Sequence, residues 1–134
     1  MSQLRTSSYQ IRTALYQLAK TVTPNVFGQD RPLASQEQMD KFIVVSIKSK
    51  YPHSCITDTG YIQFNLYVRD KANGQFNDDV MQGLIDAVKE LDMRSELWQI
   101  QGTPLETDPK TDKLGFHAVI IQWRAAFIGQ TVNN

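Results

Sequence analysis

Hydrophobic and polar positions along this chain follow two periods, and the periods mark out its elements. Ile11, Leu15, Leu18 and Val22 recur at helical spacing, the stripe of an amphipathic helix lying on an apolar surface. Ser7 and Ser8 stand before it as caps and Pro24 stops it, so a helix is predicted over residues 7–22. Val26 and Phe27 form a short extended piece ahead of Gly28, and a polar loop of about thirteen residues then runs to about Lys41, long for a compact domain. In "KFIVVSIKSKY" the period changes to that of a strand, with Phe42, Val44, Ser46 and Lys48 on one side and Ile43, Val45 and Ile47 on the other. "GYIQFNLYVRD" alternates more completely. Ile62, Phe64, Leu66 and Val68 take the core face, and Tyr61, Gln63, Asn65, Tyr67 and Arg69 the opposite one. "PHSCITDTG" reads as the hairpin connection between the two strands, with Pro52 and Gly60 in the turn region.

The helical period returns after "DKANGQF". Asn77 or Asp78 caps a helix predicted over residues 78–91, whose stripe is Val80, Met81, Leu84, Ile85, Val88 and Leu91. "LWQIQ" reads as a short strand closed by Pro104, and "ETDPKTDKLG" as a charged turn. The last strand, "FHAVIIQWRAAF", places His117, Val119, Ile121, Trp123, Ala125 and Phe127 on one nearly apolar face. Its other face begins apolar with Phe116, Ala118 and Ile120 and turns polar at Gln122 and Arg124. A strand with apolar residues on both faces needs two covers. The pattern predicts an α+β domain of two layers: a mostly antiparallel sheet of four to five strands with two amphipathic helices, in the order α-β-β-β-α-β-β. Residues 1–134 form a single domain on this reading, with an ordered core over about 5–128 and a short polar tail, 129–134.

Composition narrows the function classes. A hydrophobic fraction of 41% and a charged fraction of 21% are those of a soluble globular chain. The net charge of zero speaks against general nucleic-acid binding, which needs a surplus of Lys and Arg for phosphate contacts. The sum conceals an imbalance: residues 1–60 carry seven basic and four acidic groups (+3), and residues 61–134 carry seven and ten (−3). Such halves can mark two surfaces that attract each other between copies. The lone cysteine, Cys55, leaves no internal disulfide, and neither a signal-type apolar run nor a membrane-length one occurs, so a cytoplasmic setting is the expectation.

Residues able to carry chemistry are few. His53, Cys55 and Asp58 share one loop, but a catalytic set normally draws its members from distant, rigid elements, and the plainer reading is a hairpin loop with a half-buried thiol. A metal site built from His53, Cys55, Asp58 and His117 lacks the tight ligand spacing of a structural centre, and His117 reads better as a hydrogen-bonded ring topping the last strand. Asp78, Asp79, Asp86, Glu90, Asp92 and Glu96 gather around the second helix as its solvated face and as compensation of its dipole. Tyr61 and Tyr67, joined by Arg69 alone, make a weak stacking platform. No phosphate-cradling glycine loop is present in the sequence. No catalytic residue, metal or cofactor is expected, and binding or assembly becomes the favoured class.

The chain as a whole resembles the tail-terminator, or tail-completion, proteins of long-tailed bacteriophages. The likeness lies in the order of an N-terminal helix ending in "TPNVFGQDRP", the paired "KFIVVSIKSK" and "GYIQFNLYVRD", the helix "NDDVMQGLIDAVKEL" soon after "NLYVRDK", and the closing "KLGFHAVIIQWRAAF". It spans about residues 5–128 and includes no catalytic motif. The resemblance implies a phage or prophage structural protein at the head-proximal end of the virion tail, assembled in the bacterial cytoplasm. It would form a homo-oligomeric ring, commonly a hexamer, meeting the tail-tube protein and the head connector without a membrane or specific nucleic-acid partner. The second face of the last strand would then be covered partly by a helix and partly by the next subunit. Asp30, Arg31, Lys41, Asp108, Lys110, Lys113, Gln122 and Arg124 are the candidate assembly interface. The loop 29–41 and the turn 106–113 are expected to be ordered by partners, for want of apolar anchors beyond Leu33, Met39 and Leu105. Another neck or head-completion protein shares much of this architecture. A small-ligand domain, with Tyr61, Tyr67, His117 and Trp123 lining its pocket, is the remaining alternative.

Overall fold

The structure, a computed structural model, describes residues 8–28, 39–49 and 57–128. Helix α1 is Ser8–Lys20; strands β1 (Val26–Gly28), β2 (Lys41–Ser49) and β3 (Thr57–Arg69) follow, then helix α2 (Asp78–Lys89) and strands β4 (Trp98–Glu106), β5 (Lys110–Thr111) and β6 (Phe116–Ile128). The six strands form one sheet in the order β1-β2-β3-β6-β4, with β5 adding to β6. All pairings are antiparallel except that of β1 with β2. This is the expected α+β architecture and element order, with β5 as an addition.

Both helices pack on the same face of the sheet. Ile11, Leu15 and Ala19 of α1 and Met81, Leu84, Ile85 and Val88 of α2 are buried in one cluster with Ile43, Val45, Ile62, Phe64, Leu66, Val119, Ile121 and Trp123. The helical and strand periods thus meet on a single apolar layer, in the manner their stripes require. Burial of Trp98 adds a polar constraint, because its indole Nε1 donates to the Met93 carbonyl at 2.7 Å inside this core.

Several local expectations are corrected. Gly60 is no turn residue: it lies inside β3, paired with Ser49 on one side and Ala125 on the other. Strand β4 does not close at Pro104 but continues to Glu106. It is an edge strand, where a proline's missing N–H is tolerated, and its register shifts between Gln101 and Leu105, with Gly102 at a φ of 81°. Asn77 occupies the N-cap of α2 without a side-chain capping bond, leaving Asp78 and Asp79 in the first turn to meet the helix dipole.

The charged turn is also ordered differently from expectation. Residues 106–113 are held by their own domain: Thr107 donates its N–H to the Ile120 carbonyl, and its Oγ1 accepts the Ile120 N–H at 2.9 Å. Lys110 and Thr111 pair with Ala118 and His117, and the Asp112 carboxylate accepts the N–H groups of Leu114 and Phe116. Backbone hydrogen bonding supplies the order that apolar anchors do not, and Leu105 is 66% exposed.

Candidate functional site

Because side chains alternate across a strand, the face opposite the helices can be read row by row from the strand register. At one end Phe42, Tyr67, Ala118 and Lys110 lie side by side on β2, β3, β6 and β5. The next row is Phe27, Val44, Asn65 and Ile120, and the one after it Ser46, Gln63, Gln122 and Leu105. Beyond that, Lys48, Tyr61, Arg124 and Gln101 form a row across four strands.

The first two rows close over themselves. The ring of Phe42 stacks on Tyr67 at 4.6 Å and meets Phe27 and Phe116 edge-on. Met39, Phe42, Val44 and Phe116 are buried in this second, smaller cluster. Arg69 seals it by donating from Nε and Nη2 to the Met39 carbonyl at 3.2 and 2.9 Å, with its guanidinium 4.7 Å from the centre of the Phe116 ring. The final part of the polar loop is therefore anchored by its own chain, whereas residues 29–38, which include Asp30, Arg31 and Leu33, lie outside the described residues.

The remaining rows are uncovered by either helix. The sequence resemblance implied a helix over part of this face; both helices instead lie on the other side. Gln63 donates to the Gln122 side-chain oxygen at 2.8 Å, and Ser46 joins at 3.4 Å, so the polar residues of β6 belong to a cross-strand ladder. Tyr61, 39% exposed, stands between Lys48 and Arg124. Neither cation has a carboxylate partner among the described residues, and no described strand position on this face carries an acid.

Of the candidate interface, Gln122 and Arg124 are brought together on this face, and Lys110 joins it at the far end through its pairing with Ala118. Asp108 and Lys113 are exposed in the turns flanking β5, Lys113 at a φ of 62°. Lys41 is separated from them, since it pairs with Val68 and shares the helix side of the sheet with Ile43. Lys48, Tyr61 and Gln101 were not among the candidates. Alternation had grouped Lys48 with Phe42, Val44 and Ser46, and Tyr61 with the side opposite the core, but which residues stand beside them is a matter of register.

The other chemical candidates resolve plainly. His117 Nδ1 lies 2.6 Å from Asp70 Oδ1, and its ring stacks on Phe76 at 4.6 Å, so it is the hydrogen-bonded strand-end histidine. His53 and Cys55 lie outside the described residues, as does the side chain of Asp58. Among the described residues no group of three His, Cys, Asp or Glu side chains is placed to hold a metal ion, and no helix is long and apolar enough to cross a membrane. The pocket set Tyr61, Tyr67, His117 and Trp123 is divided, because the tyrosines lie on the outer face and the other two on the helix side. A cleft of about 400 Å³ does open between the segment after α2 and the edge strand β4, bordered by Leu91, Met93, Trp98, Ile100, Pro104 and Trp123.

No family model matches the chain. No curated protein is similar to it in sequence. Six solved chains match it in structure, and one of them, a protein whose name states no activity, superposes with a TM-score of 0.60 at 19% identity, covering 96% of this chain and 99% of that one. At that identity the likeness speaks for the fold alone, and it extends over the full α+β unit described above.

Proposed function

We propose that this chain is a structural protein of the phage or prophage tail-terminator class, which caps the tail tube as a homo-oligomeric ring and helps join tail to head. The observation that carries the reading is the two-sided sheet: both helices cover one face, while the other keeps Tyr61, Ala126 and Leu105 beside a polar ladder with no helix over them. A mixed apolar and polar surface of this kind suits contact with another protein chain. The order of the elements agrees with the sequence resemblance to tail-completion proteins.

The ring of six comes from that resemblance, and closure at a fixed number is what separates a cap from a growing filament. The test is direct. Purified protein is incubated with tail tubes of the phage or prophage that encodes it, and tube ends are examined by electron microscopy. Capped ends and arrested elongation are expected; tubes that keep growing, with no protein at their ends, reject the reading.

A further inference from the structure

One exposed stripe of α2 and one row of the outer sheet face carry opposite charge in matching geometry, and this names the surfaces through which copies would meet. Along α2, Asp79, Gln82, Gly83, Asp86 and Glu90 form one exposed stripe directly opposite the buried Met81, Leu84, Ile85 and Val88. Its carboxylates have no cationic partner among the described residues; Gln82 Nε2 donates to Asp86 Oδ1 at 2.8 Å and holds that carboxylate in place. The nearby Lys89 is already engaged by Glu106. Gly83 stands midway along the stripe, and a Cβ built there meets nothing within 4 Å. Glycine weakens a helix interior relative to alanine, and nothing among the described residues approaches closely enough to require it. Such a residue fits close approach by something outside the chain.

The outer sheet face presents the complement: Tyr61 flanked by Lys48 and Arg124 in one row. Asp79 and Asp86 are about 10 Å apart along the helix axis at its usual rise. Lys48 and Arg124, two strand spacings apart, are also about 10 Å apart. We infer that the outer sheet face of one copy docks on α2 of the next, with Tyr61 seated over Gly83 and Lys48 and Arg124 paired with Asp79 and Asp86. Because the two surfaces lie on opposite sides of the two-layer fold, the contact is heterologous and leaves one free surface of each kind for the next copy. The inference deepens the assembly reading and rests on it for the closure of the ring.

The test uses the full chain with Cys55→Ser, which removes its one native thiol. Tyr61→Cys and Gly83→Cys are made singly and together, both at exposed positions, and circular dichroism checks that each variant folds. Under mild oxidation at high concentration, or on tube ends, the contact predicts that an equimolar mixture of the two single variants gives disulfide-linked dimers. Each single variant alone stays monomeric, and the double variant gives a ladder. Adding Lys48→Glu and Arg124→Glu should lower crosslinking by about tenfold, and Asp79→Lys with Asp86→Lys on the partner should restore it. Dimers of Tyr61→Cys alone, or no crosslink in the folded mixture, overturn the inference. A ladder without tube capping would leave this contact standing and reject the terminator reading; capping without crosslinking would do the reverse.

Discussion

Across β3 and β6 the rings of Phe64 and Trp123 meet edge to face, their centroids 5.1 Å apart and their planes at 75°. Phe64 is fully buried and Trp123 nearly so, and both lie between the sheet and the helices that cover it. Replacing either by Ala is expected to lower unfolding stability by about 3–5 kcal/mol, measured by urea denaturation. A double-mutant cycle should add a coupling of about 0.5–1.5 kcal/mol, since edge-to-face rings attract beyond the area they bury. Strictly additive losses would show that the rings merely share a core.

Trp98 tests the polar side of the same core. Its Nε1–H is the partner of the Met93 carbonyl in a buried setting. Trp98→Phe keeps an aromatic ring but leaves that carbonyl without its donor, at a cost of about 1–3 kcal/mol beyond any loss of packing. Thermal unfolding should register the change, and amide exchange should quicken over residues 91–97, which the indole ties to β4. A variant with unchanged stability would mean that water replaces the indole at no cost.

Gly28 is expected to resist substitution for steric reasons. A Cβ placed there would overlap the Tyr16 hydroxyl, so the tyrosine ring of α1 must move aside. Gly28→Ala should destabilise by about 1–3 kcal/mol, as overpacking does, and Tyr16→Leu in the same chain should recover most of that loss. No recovery would place the cause in the β1 backbone instead of in this approach.

One acidic group should titrate unusually. The Arg94 guanidinium and backbone N–H donate to Asp92 at 2.7–3.1 Å and pull its carboxyl pKa from 3.8 down to about 2. A pKa depressed by folding adds stability that is present above the ordinary carboxylate value and is lost as pH falls through the lowered one. The window is therefore from near pH 4 down to about pH 2. Both side chains are exposed, so the effect on stability is small and weakens with salt. Carbon-detected NMR titration should find the low midpoint, and Arg94→Ala should return it toward 3.8.

These elements differ in how far the sequence exposed them. The stripe Ile11, Leu15 and the alternation from Tyr61 to Arg69 reported both the element type and its buried face, because burial repeats at each turn or each second residue. Pro104 misled for the opposite reason: a breaker ends a central strand but not an edge strand, and edge position is decided by distant pairing. The outer row was half legible. Parity grouped Lys48 with Ser46, Tyr61 with Gln63 and Arg124 with Gln122 within their own strands, whereas their shared side and adjacency depend on registers between segments far apart in sequence. His117 was recognised as a hydrogen-bonded ring, but no local pattern could name Asp70 as its partner.

Asn65 joins stability to the proposed contact face. It sits between Val44 and Ile120 on the outer side of the sheet, and its Oδ1 is shielded without a hydrogen-bond partner among the described residues. A shielded polar atom lacking a partner is a standing cost, and an aliphatic β-branched side chain suits a strand position with apolar neighbours. Asn65→Val should therefore stabilise the isolated chain by about 1 kcal/mol, visible as a higher midpoint in urea. A lower midpoint would show that the amide is satisfied by solvent. Because the Oδ1 is shielded, an incoming chain does not reach it, and with the contact confined to the row of Lys48, Tyr61 and Arg124 the stabilised variant should cap tubes as well as the parent chain. Weaker capping by a stabilised variant would instead bring the row of Asn65 into the contact and extend it beyond Lys48, Tyr61 and Arg124.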